Sequence, residues 1–245
     1  MSRHFELLQR VAKDDLFIFP GAPASLPGRA PFAVPARKAT PDVEIAKLVQ
    51  RLFPQAGANS GPKVVSFSGM RREDRSSWIC ARAGEALAEQ AGGSVCVVDA
   101  NVWSPQLHVH LAAGNRFGLA EALTTKGPIR NFAAPVSGAN LWLIASGRGN
   151  PGISTFTESY RERFAELRDT FDYILISAPA LSRETEAIFV GQLADGIVLI
   201  VEANHTRRET LRRAKEQLEN AQVRLLGAVL DQRTFPIPEK LYRRL

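Results

Sequence analysis

The sequence predicts an α/β fold in which a mostly parallel β-sheet is flanked by helices. Short runs of almost only Val, Ile and Leu alternate along the chain with longer segments whose apolar residues recur at helical spacing. Parallel strands are buried on both faces and have such runs, and the connecting helices cover these faces. With 45% apolar and 23% charged residues among 245, the chain has the composition of an ordinary globular protein and fits one α/β domain with a short appendage.

Two segments precede the predicted domain. Residues 3–15 place apolar side chains on one helical face, which predicts a short amphipathic helix. Six prolines then occur from residue 20 to residue 41, and because proline denies a helix its hydrogen bonds, they predict an extended linker. We therefore divide the chain into an N-terminal amphipathic segment (1–17), a Pro-rich linker (18–41) and the main domain (42–245).

The main domain starts with a helix, for which Asp42 is a suitable N-cap, and continues as alternating strands and helices. Strands are assigned where β-branched and other apolar residues form short unbroken runs. Helices are assigned where apolar residues recur every three or four positions over a longer segment. In chain order, we predict helix 42–52, strand 63–68, helix 76–90, strand 94–99, helix 119–123, strand 141–145, helix 159–169, strand 173–177, strand 196–202, helix 206–221 and strand 225–230.

The net charge of +6 would suit an anionic membrane surface, an acidic partner or nucleic acid. The arginines and lysines are scattered, however, and no aromatic residues lie between them as stacking platforms, so we do not expect nucleic-acid binding. The sequence has no run of about 18 apolar residues, and its N-terminal segment lacks the apolar core of a secretory signal. We therefore expect a cytoplasmic protein.

Sheets of this kind bind ligands at the carboxyl ends of their strands, so the loop after the first predicted strand of the main domain is the first place to search for a site. A phosphate-binding P-loop has the pattern GxxxxGK[ST] there: its backbone N–H groups surround phosphate, its Lys contacts phosphate oxygens and its hydroxyl binds Mg²⁺. In the loop SGMRREDRSS, the residues Gly69, Ser76 and Ser77 match this pattern. Asp74 and Arg75 stand in place of the second Gly and the Lys.

Three segments together resemble one family. The segments SGMRREDRSS, VCVVDANVWSPQLH and FDYILISAPA are similar, in this order, to the P-loop and the two following motifs of the bacterial tyrosine kinases of exopolysaccharide export. These kinases, like MinD and ParA, are deviant P-loop proteins. The resemblance covers nearly the whole chain and implies a P-loop NTPase-like fold with ATP and Mg²⁺ as cofactors.

The resemblance also implies roles for individual residues. Asp99, the first Asp of the second motif, would be catalytic, and Ser76 and Asp99 would bind Mg²⁺. The residues expected to bind nucleotide lie at or after the ends of predicted strands. They are Gly69, Arg75, Ser76, Ser77, Asn101 and Asp231, the last in the segment LGAVLDQ, which also matches the family.

Five substitutions depart from the family pattern. Asp74 places a carboxylate where the triphosphate is expected, and like charges about 4 Å apart repel by about 4 kcal/mol at an effective dielectric constant near 20. Arg75 keeps a positive charge, but a planar guanidinium does not replace a compact ammonium group. Asn101 and Ser177 each replace an Asp, and Trp103 replaces an Arg. Because phosphoryl transfer depends on positioning and charge neutralisation, these changes predict degenerate nucleotide motifs.

Three of the site residues also have a purely structural interpretation. Asp99 could cap the turn after its strand instead of binding metal, and Ser76 could be the N-cap of the following helix. Arg75 could pair with Asp74 or Glu73 at the surface. The sequence leaves both interpretations open.

The resemblance supports two principal hypotheses for function. The first is a degenerate kinase that acts as a regulatory binding module in exopolysaccharide biosynthesis or export. It would dock on a membrane polysaccharide co-polymerase or a sibling kinase, which would bring it to the inner face of the membrane. The alternative is an active ATP-dependent tyrosine kinase or ATPase with a non-standard P-loop. A ParA-like organiser on DNA or membrane is a third hypothesis, which only the charge supports.

Overall fold

The computed structural model describes residues 16–20, 43–54, 61–71, 75–136, 140–149, 157–182 and 184–233. In this part of the chain, eight strands form one sheet. The strands are β1 Leu16–Pro20, β2 Val64–Gly69, β3 Val95–Asp99, β4 Ala134–Pro135, β5 Leu141–Ile144, β6 Tyr173–Ser177, β7 Gly196–Glu202 and β8 Leu225–Arg233.

The strands lie in the order β1-β8-β7-β2-β6-β3-β5-β4. All neighbouring strands are parallel except β4 and β5, which are antiparallel. Parallel neighbours require crossover connections, so helices alternate with most of the strands. The predicted α/β class with a mostly parallel sheet is confirmed.

Seven α-helices and one 3₁₀-helix occur among the described residues. None of these helices is long and apolar enough to cross a membrane. The α-helices are α1 Val43–Leu52, α2 Ser76–Gln90, α3 Leu107–His110, α4 Leu119–Thr124, α5 Thr157–Thr170, α6 Glu184–Leu193 and α7 Arg208–Asn220, and the 3₁₀-helix is Ile129–Phe132.

Alternate side chains of the central strands face two helical layers. In β3, Val95 and Val97 belong to a core shared with α1 and α2, whereas Cys96 and Val98 belong to a core shared with α4, α5 and α6. A third cluster joins α6 and α7 to β7 and β8. Because both faces are covered, every position of such a strand is buried, which explains the unbroken apolar runs of the sequence.

The predicted elements of the main domain are all present, and their ends differ from the prediction by at most three residues. The sequence did not predict α3, α6, the 3₁₀-helix or the two-residue strand β4. Helix α3 is a single turn, and α6 (ETEAIFVGQL) has no sustained polar face, so its helical periodicity is weak.

Strand β1 differs from the expectation for the N-terminal part. Ile18 pairs with Leu230 of β8, so the predicted linker (18–41) begins inside a strand. The predicted helix at 3–15 and residues 21–42 lie outside the described residues. The division of the chain into three parts therefore stays a prediction.

Candidate functional site

The carboxyl ends of four strands bring predicted site residues to one edge of the sheet. Gly69 ends β2, Asp99 ends β3 and Ser177 ends β6. Strands β3 and β6 pair so that Asp99 lies opposite Ser177, while Asp231 lies in β8, two strands from β2. Asp99, Ser177 and Asp231 are buried, so each needs a hydrogen-bonding partner.

The loop after β2 is fixed where it begins. The backbone N–H of Leu181 donates to the carbonyl of Gly69 at 2.9 Å, and the hydroxyl of Ser68 donates to the carbonyl of Pro179 at 2.7 Å. Both partners follow β6, so the first part of the loop is attached to the neighbouring strand connection. Residues 72–74 lie outside the described residues. The predicted effect of a carboxylate in that part of the loop stays a prediction.

Arg75 pairs with Asp231. Its Nη1 donates to Oδ1 of Asp231 at 2.9 Å, and its guanidinium lies 4.0 Å from the centre of the Trp78 ring. The Asp231 side chain is only 3% exposed, against 34% for Arg75. Burial raises the pKa of Asp231 above its usual value, and the neighbouring guanidinium opposes this rise. Two residues that were predicted to bind nucleotide thus contact each other. The structure gives Arg75 a buried partner, Asp231, whereas the sequence suggested only the surface carboxylates of Asp74 and Glu73.

The two serines after Arg75 have separate positions. The N-cap of α2 is Arg75, without a side-chain capping bond, so the interpretation of Ser76 as the N-cap is wrong. Ser76 is the first residue of the helix and is buried. The hydroxyl of Ser77 lies 2.8 Å from that of Ser177 and forms a buried hydrogen bond with it. Ser177 stands where the family resemblance implies an Asp. A neutral hydroxyl that is bonded to Ser77 is therefore found where the resemblance implies a carboxylate.

Asp99 accepts three backbone hydrogen bonds. Its Oδ1 accepts from the N–H of Asn101 at 3.2 Å, and its Oδ2 accepts from the N–H groups of Gln106 and Leu107 at 3.0 Å each. The prediction that Asp99 caps the following turn is confirmed, and it also caps the start of α3. Burial raises the pKa of Asp99 to about 7, although the three N–H donors lower it. Asn101 contacts Asp99 through its main chain.

A further hydrogen bond connects the loop after β3 to α6. The Nε1 of Trp103 donates to Oε2 of Glu186 at 2.6 Å. Burial raises the pKa of the Tyr160 hydroxyl, and the nearby Glu186 charge adds to the rise. Trp103, which stands where the family resemblance implies an Arg, therefore holds the loop after β3 against α6, a helix on the second face of the sheet.

Sequence reasoning missed two residues that contact the site. Trp78 lies three positions after Arg75 on α2, and this helical spacing was a usable signal for a contact. Glu186 is 83 residues from Trp103 and lies in the helix that the sequence did not predict. No local pattern could have connected these two residues.

The polar groups at this edge are largely bonded to the protein itself. Within the described residues, no group of three or more His, Cys, Asp or Glu side chains could hold a metal ion. Three side-chain contacts connect the elements around the site: Arg75 with Asp231, Ser77 with Ser177, and Trp103 with Glu186.

Curated proteins with similar sequences are bacterial tyrosine-protein kinases. The kinase CpsD of Streptococcus agalactiae is 23% identical over 172 residues, which cover 69% of this chain and 75% of CpsD. The kinase YwqD of Bacillus subtilis is 26% identical over 144 residues, which cover 58% of this chain and 61% of YwqD. No protein-family model matches the sequence.

Solved structures with the same fold include kinase domains and MinD. The chimerical protein CapA2B2 has a TM-score of 0.72 at 18% identity, with 81% of this chain and 87% of that chain covered. The kinase domain of the Escherichia coli tyrosine kinase ETK has a TM-score of 0.71 at 18% identity, covering 80% and 78%. MinD of Pyrococcus horikoshii, solved with Mg-ADP, has a TM-score of 0.61 at 18% identity, covering 74% and 76%.

These comparisons confirm the resemblance drawn from the three motifs. The chain is related in sequence to bacterial tyrosine-protein kinases and has the P-loop NTPase-like fold of their kinase domains and of MinD.

Proposed function

We propose that the chain is a tyrosine-kinase-like binding module of exopolysaccharide biosynthesis or export, which acts by docking on a partner and not by transferring phosphate. The observation that carries the proposal is the ion pair between Arg75 and Asp231. Arg75 occupies the position of the phosphate-binding lysine, and its charge is matched by a carboxylate of the same chain.

A nucleotide would have to compete for Arg75. If the guanidinium moved to a triphosphate, the 3% exposed carboxylate of Asp231 would lose its charged partner. Removing one partner of a buried ion pair typically costs about 3–5 kcal/mol. The cost here is at the lower end or below it, because Arg75 is 34% exposed and water screens the pair. Even so, such a cost would weaken nucleotide binding considerably.

Asp99, one of the two residues implied to hold Mg²⁺, and Ser177 at the end of the neighbouring strand offer a poor Mg²⁺ site in this arrangement. Mg²⁺ sites combine carboxylates with substrate phosphates. Ser177 offers a hydroxyl in place of a carboxylate, and Ser77 already contacts it. Both oxygens of Asp99 accept backbone hydrogen bonds, and binding a metal would disturb the turn that they hold. These contacts support a role without phosphoryl transfer.

Exposed side chains in and just after α3 support docking. Val109 in α3 is 49% exposed, and Phe117 in the connection between α3 and α4 is 70% exposed. Arg116 beside Phe117 is exposed as well. Exposed apolar side chains next to a basic one suit a partner segment with apolar and acidic residues. We propose the cytoplasmic tail of a membrane polysaccharide co-polymerase, or a sibling kinase, as this partner. Such a complex would hold the chain at the inner face of the membrane.

Calorimetric titration of the purified chain with Mg²⁺-ATP tests the proposal. We expect no heat of binding at millimolar ATP. A dissociation constant in the micromolar range, together with ATP hydrolysis or tyrosine phosphorylation by the chain, would refute a role without phosphoryl transfer. The CpsD kinase of Streptococcus agalactiae would serve as a positive control for the assay.

The alternative is an active ATP-dependent tyrosine kinase or ATPase, and the carboxyl group of Asp99 favours it. Burial raises the pKa of Asp99 to about 7, and a general base works best when its pKa lies near the operating pH. Under this alternative, Asp99→Asn would abolish turnover. Glu202→Gln, at the end of β7, would serve as the matched control and leave turnover intact.

A further inference from the structure

We propose that Asp231 is an internal counter-anion, which neutralises Arg75 and thereby keeps its guanidinium from binding phosphate-type anions. This inference rests on the proposed function and deepens it, because it names the residue that suppresses anion binding at the site. The ligands concerned are polyphosphates, including the triphosphate of ATP.

The position of Asp231 makes it a fixed charge. It lies in β8 and pairs with Glu202 of β7 in the parallel register. Its side chain is 3% exposed, so water does not replace Arg75 as its main partner. A carboxylate held by a strand of the sheet cannot move away when another anion approaches Arg75.

The position of Arg75 is equally restricted. Its Nη1 is 2.9 Å from Oδ1 of Asp231, and one face of its guanidinium lies over the Trp78 ring at 4.0 Å. Arg75 is also the N-cap residue of α2, so its backbone is set by the start of the helix. The carboxylate and the indole together direct the guanidinium toward β8.

The charges at this place explain the effect on anions. A phosphate group that approaches Arg75 also meets the negative charge of Asp231, which lies 2.9 Å from Nη1, so part of the attraction is cancelled. In Asp231→Asn, the side chain keeps its size and a carbonyl oxygen that can accept from Nη1, but the negative charge is gone. Arg75 is then a cation without a counter-anion in β8, at the position from which the lysine of a P-loop contacts phosphate.

The test is calorimetric titration of the whole chain with tripolyphosphate at low ionic strength. We expect Asp231→Asn to bind tripolyphosphate roughly tenfold or more tightly than the unmodified chain, as removal of a like charge at close range predicts. Glu202→Gln is the matched control: it removes a carboxylate of the adjacent strand that pairs with Asp231 in the sheet and influences its pKa. We expect no such gain in the control, and we expect the double variant Arg75→Ala, Asp231→Asn to lose the gain.

Three outcomes would overturn the inference. These are a folded Asp231→Asn variant without a gain, an equal gain in Glu202→Gln, and a gain that persists without Arg75. Circular dichroism and thermal unfolding establish that each variant is folded. Binding of Mg²⁺-ATP by the unmodified chain tests the proposed function, whereas the difference between the variants tests only the role of Asp231, so the two failures are distinguishable.

Discussion

The hydroxyl groups of Ser77 and Ser177 lie 2.8 Å apart and join the first turn of α2 to the end of β6. Both side chains are buried, and each hydroxyl gives the other a hydrogen-bonding partner. The family resemblance of the sequence implies an acidic residue at the position of Ser177. The pair therefore replaces a charge with a neutral hydrogen bond, which needs no metal ion to stabilise it.

The first prediction concerns this pair. Ser177→Ala should lower the free energy of unfolding by about 1–2 kcal/mol, because it leaves the Ser77 hydroxyl buried without this partner. Changing both serines to alanine should cost less than the sum of the single changes, because no unpaired hydroxyl remains. Urea unfolding of the unmodified chain, the two single alanine variants and the double variant measures the coupling free energy between the two serines. Strictly additive losses would show that the hydrogen bond does not stabilise the fold.

The second prediction concerns the stability provided by Arg75. Arg75→Ala should destabilise the fold by about 2–3 kcal/mol, since it leaves the buried carboxylate of Asp231 unpaired. Arg75→Lys keeps the charge but loses the planar contact with Trp78, so its loss should be smaller. Thermal and urea unfolding provide the comparison. A lysine variant that is as unstable as the alanine variant would mean that the charge at this position is unimportant.

The third prediction follows from the raised pKa of Asp99. Its folded-state pKa of about 7 exceeds the usual value of 3.8 for an Asp side chain, so the folded chain binds more protons than the unfolded chain between these pH values. The contribution of Asp99 to stability is therefore fully present below about pH 4 and is lost as the pH rises through about 7, by up to about 4 kcal/mol. Asp99→Asn removes this titration.

Urea unfolding at pH 5.0 and pH 7.5, values chosen to bracket the upper part of this range, checks the third prediction. The unmodified chain should lose more stability than Asp99→Asn between the two values. Titration of the other groups is common to both proteins and cancels in the difference. Equal losses would contradict the raised pKa.

The fourth prediction concerns the proposed docking surface. Phe117→Ala should weaken binding to the co-polymerase tail or sibling kinase, and it should change the stability of the chain by less than about 0.5 kcal/mol because the side chain is exposed. Val43→Ala, which also removes an exposed apolar side chain but lies in α1, is the matched control. Binding would be measured with the purified partner on a sensor surface. If both variants bind equally well, the partner does not contact Phe117.

The sequence was most informative where one physical cause acts locally. Burial on both faces of a parallel sheet requires apolar residues at every position, so the strands could be read directly, as for Gly196–Glu202. The rule that ligands bind at the carboxyl ends of strands predicted a site at Gly69 and Asp99, and the structure places both residues at strand ends on one edge of the sheet. Helix α6 was missed because burial removes the polar stripe that makes a helix recognisable.

The sequence by itself determined the fold class, the relation to tyrosine kinases and the identity of the substituted motif residues. Only the tertiary structure decided which groups bind one another: Arg75 and Asp231 are 156 residues apart, and Ser77 and Ser177 are 100 apart. Strand propensity depends on a few neighbouring residues, whereas a buried polar group is satisfied by whichever partner the sheet order places beside it. That order brings the ends of β8, β6 and β3 to the start of α2, and no local pattern records it.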